Sequence, residues 1–405
     1  MKWIKSYPWR TGFLSVLLAI IIFVIYTDLY LLFRPRPSDL DAAIIQEMQT
    51  AKVPGVAMLI IRDGQIELAK GYGLADPETG RAVTPDTLFT IASISKTMTA
   101  TALMTLYERE EFNLDDDINQ YLPFEVRNPN FPDVPITFRM LLTHTSSIQD
   151  SNVYNQYYTL EQTPVLPDSP IALGDYLKDY LSSEGKLYNA KDNFLEDTPG
   201  TKYEYSNTGF GLVGYLVERI SGMPFSEYCR QAVFEPLGME HTAWYFKDVD
   251  TDMMAVPYGY DNLRRQLKRF GFYGYPTYPD GALKTSVNEF ARFLAVFINE
   301  GKTLEDKVFL QPETVREMLT LHTFPGMSEN ESVGLAWHFD GNDYNHSGGD
   351  PGIGTLAYFN PDTDQGAILF SNGGDLNLSN IPGLARGFYF YGQMISIVKE
   401  NMIIP

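Results

Sequence analysis

Leu88-Phe89-Thr90-Ile91-Ala92-Ser93-Ile94-Ser95-Lys96 is the stretch on which the fold turns. Its first four residues are apolar or β-branched and read as a short strand. From Ser93 to Glu110 the pattern changes to helix formers without Pro or Gly, with apolar residues at Ile94, Met98, Ala102, Leu103 and Leu106. A serine therefore opens a helix directly after a strand. Ser93 and Lys96 fall on one helical face with their side chains adjacent. Backbone N–H groups at a helix start stabilise an alkoxide, and the positive end of the helix dipole disfavours a charged lysine. A lysine depressed in this way can accept the serine proton. The same S-x-x-K string recurs at Ser183…Lys186 and Ser396…Lys399, in a loop-like stretch beside Gly185 and deep in a terminal helix. Only Ser93 stands at a strand-to-helix junction.

Upstream, Val56–Arg62 and Gln65–Lys70 read as strands joined by Asp63-Gly64, a pair suited to the positive φ of a type I′ turn. Downstream, from about Asn113 to Asp280, come Pro-punctuated loops, aromatic clusters and helical patterns such as Phe210–Ser221. Helices return at Ser286–Glu300 and Pro312–Leu321. β patterns follow at Gly334–Phe339, Gly354–Phe359 and Gly366–Phe370, the last two joined by a turn at Asn360-Pro361-Asp362. An amphipathic helix closes the chain from about Gly383 to Lys399. This order predicts an α+β fold: an antiparallel sheet formed from both chain ends, flanked by terminal helices, with an inserted α-rich lobe. The α/β part is expected over about 38–92 and 284–405, and the lobe over about 93–283.

The chain has 405 residues, 31 Lys and Arg against 51 Asp and Glu, and a formal net charge of −20. A field of that sign repels phosphates, which excludes nucleic acid as a partner and argues against anionic lipid headgroups. The acidic run Asp115-Asp116-Asp117 reads as a solvated loop. One cysteine, Cys229, permits no intrachain disulfide, and its helical setting reads as a packed core thiol. Residues 12–33 are apolar apart from Asp28 and can cross ~30 Å of hydrocarbon as a helix. Lys2, Lys5 and Arg10 precede this run, whereas Arg34 and Arg36 soon give way to Asp39 and Asp41. That favours a cytoplasmic tail over 1–11 and an outer side for residues 34–405. A cleaved signal peptide is the competing reading, but Tyr30-Leu31-Leu32-Phe33 carries no small-x-small cleavage pattern. The expected location is the cell membrane, single-pass, with the main domain extracytoplasmic.

Two further strings carry chemistry. In Tyr205-Ser206-Asn207, a phenol near ammonium groups can lose its proton below the usual pKa of ~10. The Asn two residues on can hold a substrate amide. The string recurs at Tyr260…Asn262 and Tyr358…Asn360, but here it is framed by Thr198–Glu204 and Thr208–Gly214. His346-Ser347-Gly348-Gly349 precedes the late strand pair, and a lone histidine there is by itself more often structural. There is no G-x-S-x-G elbow, no H-E-x-x-H and no ligand spacing among the five histidines, so neither an α/β-hydrolase nor a zinc site is expected.

Taken in order, S-x-x-K, Y-x-N and H-S-G-G resemble the serine β-lactamase and penicillin-binding protein superfamily, class C-like branch. Gly71–Asp76, Leu141–Ser146, Pro236–Met239 and Pro279–Phe293 support the resemblance, which runs from about residue 40 to 395. It implies a serine hydrolase domain over 34–405 without cofactor or metal. Ser93 would form an acyl-enzyme. Lys96 and Tyr205 would transfer protons, with the base undecided between them. Asn207 would bind the substrate amide, and His346, Ser347, Gly348 and Gly349 would line the substrate strand. The N–H groups of Ser93 and Gly349 would form the oxyanion hole. The implied substrates are D-amino or cell-wall peptides, carboxylic esters or β-lactams; the alternative is a non-catalytic receptor for such peptides. Two residues depart from the pattern. His346 stands where β-lactamases carry the Lys of K-T-G, and Ser147 stands where Gly often follows Thr-Ser.

Overall fold

The computed structural model describes residues 35–158, 167–261, 264–373, 390 and 392–400. β1 (Gly55–Arg62) and β2 (Gln65–Asp76) form the expected hairpin, and Asp63 and Gly64 at its turn have φ of 49° and 68°. A short β3 (Arg81–Ala82) continues from β2. β4 (Phe89–Thr90) then leaves the main sheet to pair with a strand that returns much later, β7 (Lys284–Thr285). Between them, β5 (Tyr258–Asp261) and β6 (Gln266–Arg269) make a separate two-stranded hairpin.

The late strands are β8 (Ser332–Val333), β9 (His338–Phe339), β10 (Tyr344–Asp350), β11 (Ile353–Asn360) and β12 (Gln365–Ser371). The main sheet runs β3-β2-β1-β12-β11-β10-β9-β8 and is antiparallel throughout. The two chain ends thus meet where β1 pairs with β12, from Val56↔Ser371 to Ile61↔Gly366. The Gly334–Phe339 run, expected as one strand, is instead part of the turn and second arm of the β8–β9 hairpin. Ala336 adopts a φ of 67°, and Trp337 is turned into the core.

Both faces of β1 are buried, which explains its uninterrupted apolar sequence. Ala57, Leu59 and Ile61 face a core shared with Phe290, Phe293, Leu294 and Phe297 of the Val287–Ile298 helix. Trp337 and Phe359 close on Phe297, with ring centres 5.2 and 5.8 Å away. Val56, Met58 and Ile60 face the other way, onto Ala43, Ile44 and Met48 of the Leu40–Ala51 helix and onto Met394, Ile397 and Val398. Residues 392–400 are helical. The remainder of the expected terminal helix, residues 383–389, and the apolar segment 12–33 lie outside the described residues. Among the described residues no helix is long and apolar enough to cross a membrane.

The acidic run is not merely solvated. Asp117 pairs with Arg127, and Asp115 pairs with Arg139. Cys229 is a buried thiol, as its helical setting implied.

Candidate active site

The chain reaches Ser93 through a strained step. Ala92 has a φ of 48°, a region that costs an L-residue energy, and it begins a 3₁₀ turn (Ala92–Ile94) that hands over to the Ser95–Tyr107 helix. Ile91, Ala92, Ile94, Ser95 and Lys96 are buried, whereas Ser93 is partly exposed. The helix therefore starts slightly after the serine, and the turn presents Oγ at the surface. Thr355 Oγ1 on β11 donates to Ile91 O at 2.7 Å, tying the turn to the sheet. β10 comes against the same turn. A Cβ on Gly348 would sit 2.4 Å from Ile91 O and 3.0 Å from Ser93 N, so only glycine permits the approach. β9 pairs with β10 at Tyr344 and Asn345.

Lys96 is fully buried. Its Nζ donates to Asn207 Oδ1 and to Asp280 O, each at 2.7 Å, and lies 3.2 Å from Ser93 Oγ. Burial lowers its pKa from the usual lysine value, and the carboxylates of Asp280, Asp150 and Asp350 oppose that shift.

Asn207 starts the Asn207–Ser221 helix, whose cap is Ser206 accepting from Gly209 N. Asp150 seals that helix end. Its two oxygens accept from Asn207 N, Asn207 Nδ2, Thr208 N and Thr208 Oγ1 at 2.7–2.9 Å. Acidic charge at a helix N-terminus is favourable, and here it also orients the side chain that holds Lys96.

Tyr205 lies with its ring centre 5.0 Å from Lys96 Nζ, and its hydroxyl is hydrogen-bonded to Ser93. Its surroundings correct the expectation of an acidified phenol. Burial raises its pKa above the ordinary tyrosine value, only partly offset by the bond to Ser93, and the carboxylates of Asp280, Asp150 and Asp350 raise it further. The phenol keeps its proton because burial denies a phenolate the solvation it needs.

Three histidines surround this ring. His144 lies 4.3 Å away at 30°, and its Nδ1 accepts from Ser206 N at 3.1 Å. His338 and His346 are 6.4 and 6.5 Å from Tyr205 and 5.2 Å from each other. Burial pushes all three imidazoles down, so they are neutral near pH 7. His346 was expected to line the substrate strand, yet it is only 2% exposed. Its Nδ1–H donates to Ser347 O at 2.7 Å, and Nε2 is buried without a hydrogen-bond partner. It packs behind the phenol, and the exposed side chain of H-S-G-G is Ser347.

The structure thus brings Ser93, Lys96, Tyr205 and Asn207 together, with His346 and Gly348 against them and Ser347 and Gly349 along the same strand. Asp280 was missed as a site residue. Its carbonyl accepts from Lys96, and burial raises its carboxyl pKa to about 7. Asp150, His144 and His338 were missed as well. His144 and Asp280 lie within strings already singled out; Asp150 and His338 carry no local signal. Ser147, at the position where Gly is common, has a φ of 66°, and its Oγ accepts from Asn128 Nδ2 at 2.9 Å. Among the described residues no group of His, Cys, Asp and Glu is arranged to hold a metal ion.

The chain is similar to several known proteins. Protein flp of Staphylococcus aureus (strain MRSA252) is 23% identical over 351 residues, covering 86% of this chain and 64% of that protein, so the chain matches only part of that relative. Esterase EstB of Burkholderia gladioli is 32% identical over 223 residues, or 54% of each chain. Two solved structures share the fold with a TM-score of 0.67. The octameric penicillin-binding protein homologue from Pyrococcus abyssi is 25% identical, over 88% of this chain and 77% of that one. The D-amino acid amidase from Ochrobactrum anthropi SV3 is 21% identical, over 90% and 99%. The profile of the beta-lactamase family matches residues 40–383, and the chain belongs to that family.

Proposed function

We propose that this protein is a membrane-anchored serine hydrolase that cleaves esters or amides through an acyl-enzyme on Ser93. The observation that carries the reading is the way Lys96 is bonded. A neutral amine has two N–H groups and one lone pair. Asn207 Oδ1 and Asp280 O take two donors at 2.7 Å, which leaves the lone pair for the Ser93 hydroxyl at 3.2 Å. Burial favours that uncharged form.

Lys96 then acts as the base. It takes the Ser93 proton as Oγ bonds to the acyl carbon, and the carbonyl electron pair moves to oxygen. The backbone N–H groups of Ser93 and Gly349 are the donors that the family pattern assigns to that oxyanion. Tyr205, still protonated, gives its proton to the leaving oxygen or nitrogen and recovers one from the Lys96 ammonium. The bond to the leaving group breaks as the carbonyl re-forms. Water enters by the same steps in reverse, losing its proton to the Lys96–Tyr205 pair and releasing acid and Ser93.

The acyl donor we favour is a carboxylic ester, or a D-amino or cell-wall peptide lacking a carboxylate beside the scissile bond, rather than a penicillin. His346 is a buried neutral imidazole, and the other charges around Lys96 are carboxylates, so among the described residues no permanent cation at that place awaits a substrate carboxylate. Names among the similar proteins, an esterase and a D-amino acid amidase, support this choice. Residues 12–33 would supply the anchor, with the catalytic domain outside the cell membrane.

The test is acylation of the full chain in membranes by a fluorescent fluorophosphonate, followed by turnover of p-nitrophenyl esters, D-aminoacyl amides and nitrocefin. Labelling of wild type and not of Ser93→Ala is expected. A chain that binds cell-wall peptides but is never acylated would be the non-catalytic receptor instead. Release by carbonate extraction, or a mature N-terminus beyond residue 33, would remove the anchor.

A further inference from the structure

The net charge of −20 conceals a local reversal. Between Arg264 and Arg269 the chain reads Arg-Arg-Gln-Leu-Lys-Arg, on the β5–β6 hairpin. All six residues are exposed. Asp261 pairs with Arg264 and Glu78 with Arg269, two carboxylates against four cations. The hairpin borders a groove of about 600 Å³ whose opposite wall is the Leu40–Ala51 helix. Ile45, Gln49 and Lys52, spaced along one face, are the exposed residues of that wall. Ile45 at 44% and Leu267 at 36% are among the few large apolar side chains left in solvent in the described residues, and both line this groove.

The described chain begins next to this wall, where Pro35 O accepts from Gln46 Nε2 of the helix at 3.4 Å. Residue 34 is the last of the undescribed N-terminal segment. Arg36 is pinned to the domain by Glu400 at 2.8 Å, Ser396 at 3.1 Å and Gln393 at 2.5 Å. Six residues, 34–39, separate the apolar segment from the helix, a reach of at most about 20 Å. A bilayer entered by residues 12–33 therefore lies close to this helix.

We infer that the groove edge formed by Ile45, Lys52 and the Arg264–Arg269 hairpin docks onto the anionic surface of the same bilayer, holding the domain in a fixed orientation. Basic side chains meet the headgroups, while Ile45 and Leu267 enter the apolar boundary beneath them. This rests on the proposed anchor. It also qualifies the expectation drawn from total charge, because screening confines each charge's influence to about 10 Å and a bilayer meets one patch rather than the sum.

The test uses the full chain reconstituted in vesicles, with Leu267→Cys carrying an environment-sensitive fluorophore. Cys229 is buried and escapes labelling. Vesicles of phosphatidylcholine with phosphatidylglycerol should shift the emission to the blue, and vesicles of phosphatidylcholine alone should not. About 0.5 M salt should abolish the shift. So should Arg265→Glu with Lys268→Glu, which should leave hydrolysis of a soluble p-nitrophenyl ester unchanged. Emission unmoved by anionic vesicles, or moved equally by neutral ones, would overturn the docking surface. Flotation with the vesicles reads the anchor separately, so failure of one idea is distinguishable from failure of the other.

Discussion

Asn207 holds Lys96 through its side-chain oxygen, Oδ1 to Nζ at 2.7 Å, while its own N and Nδ2 donate to Asp150. The Lys96 nitrogen is thus positioned through a carboxylate it does not touch. Asp150→Ala removes four hydrogen bonds and leaves two N–H groups of the helix start unpaired. Stability should fall by ~1–3 kcal/mol, and kcat should fall because Asn207 is loosened. Asp150→Asn, which keeps an acceptor oxygen, should lie between. Thermal melts and ester kinetics check this; an unchanged kcat in Asp150→Ala would remove Asp150 from the site.

Ser93→Ala should abolish acylation with the fold intact, since a single oxygen is deleted from a partly exposed side chain. Lys96→Ala should slow acylation by ~10²–10⁴, the usual worth of general-base assistance. Ser183→Ala and Ser396→Ala are the controls. If either silenced the enzyme while Ser93→Ala did not, the nucleophile would be misassigned.

The pH dependence of kcat/KM follows from the direction in which burial moves Lys96. The base works unprotonated, so the rate should rise with pH through an inflection below lysine's ordinary value of 10.5. An ascending limb centred at or above that value would mean that the depressed amine is not the base.

Lys284 offers a stability measurement away from the chemistry. It is buried, donates to Trp244 O at 2.8 Å and lies 3.9 Å from the Phe246 ring centre. Burial lowers its pKa from 10.5 to about 7, opposed by Asp168 and Asp248. The unfolded chain then binds more protons between those values, so this group's contribution is fully present above 10.5 and is lost as pH falls toward 7. Relative to Lys284→Met, wild type should gain up to a few kcal/mol between about pH 7 and 10, since a tenfold difference in proton affinity corresponds to about 1.4 kcal/mol. Parallel Tm curves for the two proteins would count against it.

His346→Lys should move specificity toward penicillins. In wild type the neutral ring packs behind Tyr205 and offers no positive charge to the phenol or to a substrate carboxylate. A lysine supplies a cation at that place and should lower the Tyr205 pKa while raising nitrocefin turnover relative to a short-chain p-nitrophenyl ester. Comparable kcat/KM values for the two substrates in wild type would sink the idea. A circular-dichroism melt guards against mere unfolding by the buried charge.

Local chemistry made much of this protein legible in its sequence. Asp63-Gly64 dictates a hairpin because only residues tolerant of positive φ close it, and apolar runs such as Val56–Ile61 belong in a sheet covered on both faces. The order of strands and helices carried the α+β architecture. The linear spacing of Ser93 and Lys96 holds on a 3₁₀ turn as well as on a helix, so that pairing survived a small error in where the helix starts.

What distance along the chain hides, only the tertiary structure decided. Asp150, Asp280 and His338 gather around Lys96 and Tyr205 from distant parts of the chain, Asp150 through Asn207, and no period or spacing records such meetings. Burial is likewise a property of the packed whole. Near ammonium groups Tyr205 would be acidified, but enclosed by neutral imidazoles it keeps its proton, and His346 turns from a substrate-facing residue into a support for the phenol. The fold class follows from side-chain periodicity, which is written in order along the chain. The charge states follow from desolvation, which exists only once distant segments have closed around a group.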